Sequence, residues 1–222
     1  MLQNLIGGFM KILLLGQITC GKGTLSENLA ERYGFEGISI GQILRDETSK
    51  NTEEAKIILE YQQRGVLVPN DITLKVLKNY LKTVGDKDLI FDGYPRNLDQ
   101  AKALEKITDL DAVFVLEVND DVVMYRAMGR RACKDCGSIT HIDMLQGKDS
   151  CLKCGGELYI RNDATEEATK AKMESYYKDT LPLIDFYKGK YPMYFIDANK
   201  NPQNTLAQVE EVLGSLKECE LQ

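Results

Sequence analysis

One segment constrains this chain more than any other. The apolar run Lys11-Ile12-Leu13-Leu14-Leu15 passes straight into Gly16-Gln17-Ile18-Thr19-Cys20-Gly21-Lys22-Gly23-Thr24. Gly16 and Gly21 frame four residues and Lys22 follows at once, with Gly23 inserted before Thr24. That is the G-x-x-x-x-G-K spacing of a nucleotide-phosphate loop. The spacing has a physical cause. Backbone N–H groups that ring a phosphate must turn inward, and a Cβ collides where the chain does so. Lys22 supplies a point charge that can follow a phosphoryl group. Thr24 opens a helix through Leu25-Ser26-Glu27-Asn28-Leu29-Ala30, and its positive end faces the phosphates.

Further along, apolar runs place strands at 11–15, 36–39, 88–91, 112–117 and 193–196. Helical periodicity covers 24–33, 41–48, 52–63, 71–83, 97–106, 119–130, 165–188 and 203–217. Strands separated by helices predict an α/β fold of three layers, a five-stranded parallel sheet covered on both faces. Two stretches break the alternation: 39–68 holds two short helical patterns, and 131–164 holds four cysteines and turn residues. Both read as insertions on one compact domain, since no linker or repeat marks a second one.

Composition narrows the classes. A net charge of −6 over 222 residues argues against nucleic-acid binding. No apolar run approaches the roughly 20 residues a membrane helix needs. Met1 to Phe9 carry no basic region and no cleavage site, so a cytoplasmic chain is expected, and Met10 is an alternative start. The chain uses 20 lysines but eight arginines, several of them beside glycine, proline or other motif residues. Arginine grips phosphate with two parallel N–H bonds and lysine does not.

Cys133-Lys134-Asp135-Cys136 and Cys151-Leu152-Lys153-Cys154 are paired C-x-x-C knuckles with glycine following each. Facing each other, they supply four thiolates in a tetrahedron, which suits a structural zinc ion with no open position. Iron in the same cage is the alternative, and the lack of a signal peptide disfavours disulfides. The one histidine, His141, reads as a packing or turn residue. A second constellation starts at Asp92, at the end of the strand Leu89-Ile90-Phe91, followed by Gly93-Tyr94-Pro95-Arg96. A carboxylate there suits a water-mediated Mg²⁺ contact. Arg126, Arg130 and Arg131 crowd the end of a helix, which favours an anion nearby.

Taken in order, these motifs resemble the zinc-containing, long-lid adenylate kinases, members of the nucleoside monophosphate kinases with a P-loop NTPase-type fold. The likeness runs from Met10 to about Leu216. It includes Gly21-Lys22-Gly23-Thr24, Ile38-Ser39-Ile40-Gly41-Gln42-Ile43-Leu44-Arg45, Gly65-Val66-Leu67-Val68-Pro69, Asp92 to Arg96 with Gln100, Gly129-Arg130-Arg131, and Arg161-Asn162-Asp163. The resemblance implies transfer of the γ-phosphoryl of Mg·ATP to AMP, giving two ADP. It implies a monomer with nucleotides as partners, a core of residues 10–38, 69–128 and 165–219, a monophosphate-binding insertion at 39–68 and a zinc lid at 129–164. ATP would meet Thr19, Cys20, Gly21, Lys22, Gly23, Thr24, Arg126, Arg130, Ile139, Thr140 and Lys200. AMP would meet Ile40, Arg45, Val66, Leu67, Val68, Gly93, Tyr94, Pro95, Arg96, Gln100, Arg161 and Lys172. The transfer itself would rest on Lys22, Asp92, Arg96, Arg130, Arg161 and Lys172.

The chain departs from the family pattern in five places. Ile18 and Thr19 stand where proline and glycine are usual, Ile40 replaces a hydroxyl residue, Ala164 an aspartate and Lys172 an arginine. Losing the planar fork at 172 costs on the order of 1.5–3 kcal/mol, so a slowed enzyme is expected. Two rivals remain at this point: a kinase for UMP, CMP or another monophosphate, with Ile40 near the base, and a catalytically silent nucleotide binder. Gln100 favours adenine, because an amide pairs with a donor and an acceptor together.

Overall fold

The computed structural model describes residues 9–63, 68–161 and 164–219. The chain runs β1 (Lys11–Gly16), α1 (Lys22–Tyr33), β2 (Glu36–Ser39), α2 (Ile40–Thr48), α3 (Glu53–Gln63), α4 (Asn70–Val84), β3 (Leu89–Asp92) and α5 (Leu98–Leu104). It continues through β4 (Ala112–Glu117), α6 (Asp120–Gly129), β5 (Arg130–Cys133), β6 (Ile139–His141), β7 (Leu158–Tyr159), α7 (Glu166–Ser175), α8 (Pro182–Tyr187), β8 (Met193–Asp197) and α9 (Pro202–Cys219).

Five strands form the expected sheet in the order β2-β3-β1-β4-β8, and every pair is parallel. Strands buried on both faces read as continuous apolar runs, which is why β1 and β4 lack alternation. Within them the two faces still part company. Leu13, Leu15, Phe91, Val113 and Val115 face one apolar layer, with Leu77 of α4, Leu104 of α5 and Leu183 of α8. Ile12, Leu14, Ile90, Phe114 and Leu116 face the other, with Leu25 and Leu29 of α1 and Leu206 and Val209 of α9. Sheet order reverses around β1, so the crevice beyond its carboxyl end is the natural ligand site of such a sheet.

The two irregular stretches differ in how they are built. In the α2–α3 segment, Ile43, Leu44 and Ile58 are buried in the same apolar layer as β1 and β3. The segment from β5 to β7 instead forms its own antiparallel sheet, β6-β5-β7. Among the described residues of that segment, the buried apolar side chains are Ala132, Cys133, Leu145 and Cys151.

One expectation needs correction. The helix expected over 165–188 is two helices, α7 and α8, joined by a π turn over Tyr176–Thr180, with Leu181 N donating to Tyr176 O at 2.8 Å. The cause is Pro182, which has no N–H to continue the ladder.

Candidate active site

The phosphate loop follows β1 into this crevice. A Cβ on Gly16 would stand 2.7 Å from Leu116 O, so only glycine passes so close to β4. Thr19 takes a left-handed conformation with φ of 55°. That strains a β-branched residue by on the order of 1–2 kcal/mol. Its hydroxyl offsets part of this by donating to Val123 O at 3.1 Å. Gly21 caps α1 with φ of 102°, and the N–H groups of Lys22, Gly23 and Thr24 open the helix. Lys22 Nζ lies inside the loop, donating to the Gly16 and Gln17 carbonyls at 2.7 Å each and reaching the buried Cys20 Sγ at 3.3 Å.

Two other elements tie the loop down. Gln17 Nε2 donates to Asp120 Oδ1 at 2.9 Å and to the Tyr177 hydroxyl at 3.0 Å, and Tyr177 donates to the same carboxylate oxygen at 2.6 Å. Tyr177 first and Gln17 second hold the Asp120 carboxyl below its ordinary pKa. Arg126 donates to the carbonyls of Thr19, Asn199 and Lys200, at 3.4, 3.2 and 2.6 Å, and so joins the loop to the chain between β8 and α9. Sequence reading placed Arg126 and Lys200 here but missed Gln17, Asp120 and Tyr177, which form no local motif.

Asp92 ends β3 beside the loop, its Oδ2 lying 3.7 Å from where a Cβ on Gly23 would stand. After it, Gly93 has φ of 74° and the Tyr94–Pro95 peptide is cis. This turn folds Arg96 back so that its Nε donates to Gly93 O at 2.9 Å. Desolvation lowers the Arg96 pKa and the Asp92 carboxylate opposes it. Burial pushes the Tyr94 phenol up to about 12, so it stays neutral. Thr180, in the π turn, donates to Arg96 O at 3.0 Å.

Ile40, Gly41, Leu44, Val68, Thr73, Gly93, Tyr94, Arg96 and Gln100 line one cavity beside this turn. Of the expected AMP contacts, Ile40, Val68, Gly93, Tyr94, Arg96 and Gln100 therefore meet there. Pro95 is buried behind them, while Val66 and Leu67 lie outside the described residues. Arg45, on α2, is bonded to Gln42 Oε1 at 2.7 Å. Its pKa is lowered by desolvation and then by the positive charge of Arg161. Arg130 opens β5 and Lys172 lies on α7. Ile139 and Thr140 are in β6, opposite Ala132 and Arg131.

The four cysteine sulfurs all lie within 4.8 Å of one another and none is bonded to another. Cys133 and Cys154 Sγ stand 3.5 Å apart, and Cys136 and Cys151 Sγ 3.7 Å. Sulfurs at about 2.3 Å from a tetrahedral zinc ion have this spacing, so zinc fits. Hydrogen bonds from the Ser138 hydroxyl and then from backbone N–H groups of Cys154 and Lys153 lower the Cys151 thiol to about 6, whereas Cys154, despite the Gly156 N–H, is pushed up to about 12 by its neighbours Cys136 and Cys133. His141 is not among these ligands. Its ring lies 4.8 Å from that of Tyr125 and fills the space a side chain at Gly129 would take, as a packing residue does.

A five-stranded parallel sheet with this loop after β1 and a carboxylate at the end of the neighbouring β3 is the frame of a P-loop phosphotransferase. The family model for adenylate kinase matches residues 14–191, and the chain belongs to that family. It is 38% identical to an adenylate kinase of Caldicellulosiruptor bescii over 213 residues, 92% of this chain and 99% of that one. It is 36% identical to an adenylate kinase of Archaeoglobus fulgidus over 216 residues, 94% of this chain and 100% of that one. A Rickettsia conorii adenylate kinase is also 36% identical, over 209 residues.

Proposed function

We infer that this protein is an ATP:AMP phosphotransferase, moving the γ-phosphoryl of Mg·ATP to AMP and giving two ADP in a reversible reaction. The observation that carries this is the joint placement of the Lys22 loop, Asp92 and the Arg96–Gln100 cavity at the carboxyl ends of β1 and β3. Phosphoryl transfer passes through a loosely bonded, highly charged state, so its catalysis is positioning and electrostatic stabilisation.

In this reading, the loop from Thr19 to Thr24 holds the ATP phosphates and Lys22 follows the transferring group. Asp92 orients the Mg²⁺ that arrives with ATP, through water. Arg126 stacks on the ATP adenine, and Ile139, Thr140 and Lys200 complete that pocket. Arg45 and Arg96 hold the AMP phosphate, and Gln100 reads the base. Arg130, Arg161 and Lys172 clamp the phosphoryl group in flight. Residues 39–68 form the AMP-binding insertion, residues 129–164 the zinc lid, and the remainder the core. Membership of the family supports ATP, AMP and ADP as partners, and the acidic balance of the chain weighs against nucleic acid; no membrane partner is proposed. Among the described residues no helix is long and apolar enough to cross a membrane. A cytoplasmic monomer completes the proposal.

The test is ADP formation from Mg·ATP with AMP, UMP, CMP, GMP or dTMP offered separately. Turnover with AMP that Lys22→Met lowers by about a hundred- to a thousandfold supports the reading. Turnover with a pyrimidine alone makes Ile40 the specificity position. Silence with all five, in folded and zinc-loaded protein, removes the enzyme reading.

A further inference from the structure

The π turn between α7 and α8 is bonded to both phosphate-handling turns. At one end, the Tyr177 hydroxyl donates to Asp120 Oδ1 at 2.6 Å and accepts from Gln17 Nε2 at 3.0 Å. Gln17 Nε2 also donates to the same Asp120 oxygen at 2.9 Å, which closes a ring of three bonds on the first residue after β1. Gln17 is 5% exposed, and its Oε1 is buried with no protein partner among the described residues. An unpaired buried carbonyl costs free energy, so packing alone favours an apolar side chain here. What the amide contributes is the pair of bonds its nitrogen makes. At the other end of the π turn, the Thr180 hydroxyl donates to Arg96 O at 3.0 Å, while Gln100 Oε1 accepts the Arg96 N–H at 2.8 Å. Both peptides flanking Arg96 are thereby held.

We propose that the π turn is a strut between these two turns, with Tyr177 and Thr180 as positioning residues that set the separation of donor and acceptor phosphates. The inference rests on the reading above, in which the loop holds the ATP phosphates and Arg96 the AMP phosphate. Transfer needs the reacting atoms within about 3–3.5 Å of each other, and a misplacement of about 1 Å costs about a hundredfold. The β1–β3 ladder ends at Leu14 and Asp92, so sheet bonds do not space the turns beyond it. The π turn supplies a bond on each side instead. Its base is fixed, because α8 continues from it and buries Leu183 in the apolar layer of β1 and β3. One element bonded to both turns fixes their separation, whereas two unrelated ties would fix each turn alone. Tyr177 acts through Asp120 and Gln17, and Thr180 through the Arg96 peptide.

The experiment measures kcat, and KM for Mg·ATP and for AMP, in the zinc-loaded full chain with Tyr177→Phe, Thr180→Val and the double variant. Each single change removes a hydroxyl at nearly constant volume and is expected to lower kcat by about three- to tenfold. Tyr177→Phe should raise KM for Mg·ATP and not for AMP, and Thr180→Val the reverse. The double variant tests the strut itself. A spacing already lost at one end is not lost again at the other, so its kcat is expected to match that of the slower single variant. Losses in kcat that multiply, or a kcat unmoved by either single change, overturn the proposal. Thr180→Ser keeps the hydroxyl and is expected to keep the parental kcat; a loss equal to that of Thr180→Val overturns the role of Thr180. A parent that transfers nothing to AMP removes the acceptor-site reading and the strut together. A parent that transfers, with losses that multiply, removes the strut alone.

Discussion

Two insertions interrupt the sheet, and they are held by opposite means. The α2–α3 segment lends Ile43, Leu44 and Ile58 to the apolar layer that also covers β1 and β3. The β5–β7 segment shares no residue with either core layer among those described, and closes instead on Cys133, Cys136, Cys151 and Cys154. A segment this short cannot bury enough apolar surface to offset the entropy of ordering it, so a metal takes the place of a core. Independence follows from the difference. The segment joined to the core rises and falls with it, whereas the metal-held one can be lost alone.

The largest expected effect breaks the two apart. Stripping the metal with a chelator under reducing conditions is expected to raise amide hydrogen exchange throughout 130–161. β1, β3 and β4 should keep their protection and phosphoryl transfer should collapse. Equal loss of protection in the α2–α3 segment would show that the two insertions do not differ in this way. Next in size is Leu13→Ala, which opens a cavity at a fully buried position in the layer shared with α2. It should cost about 2–5 kcal/mol in a urea melt and loosen α2–α3, with the zinc affinity of the lid unchanged.

Smaller still is Lys172→Arg, which restores a planar fork on α7. It is expected to raise kcat by about tenfold without moving the melting midpoint. An unchanged or lower kcat would remove lysine at 172 as a cause of slow turnover. The smallest effect concerns the seam between the loop and the post-lid π turn. Asp120 is held below its ordinary pKa by Tyr177 and Gln17, so its contribution is full above about pH 4 and is lost as pH falls through the depressed value. Urea midpoints at pH 6 and pH 3 should therefore differ more in the parent than in Tyr177→Phe, and equal differences would sink this account.

Sequence carried much of this, unevenly. Strands were legible because a strand buried on both faces must be apolar throughout, as Ile12 to Leu15 and Ala112 to Leu116 are. The loop and the cysteine knuckles were legible because their chemistry depends on near neighbours in the chain. The break in the helix after the lid was not, because helical periodicity runs on through Tyr176–Thr180 and only Pro182 hints at a change. Gln17, Asp120 and Tyr177 were also unreadable. Each matters through a partner 57 or more residues away, and no spacing rule reaches that far.

Thr19 marks the boundary between the two kinds of information. From sequence, Thr19 stood out only as a departure, a β-branched residue where the family has glycine. The structure gives φ of 55° and adds the hydroxyl bond to Val123 that helps hold it. By itself, then, the sequence determined the parallel sheet, the phosphate loop, the four-thiolate cage and the family, all written in short-range pattern and order. Tertiary structure alone decided that the π turn is bonded to both phosphate-handling turns, that Arg161 comes within reach of Arg45, and that one insertion borrows the core while the other does without it. Those depend on groups distant in the chain meeting at hydrogen-bond or Coulombic range, and only packing sets such distances.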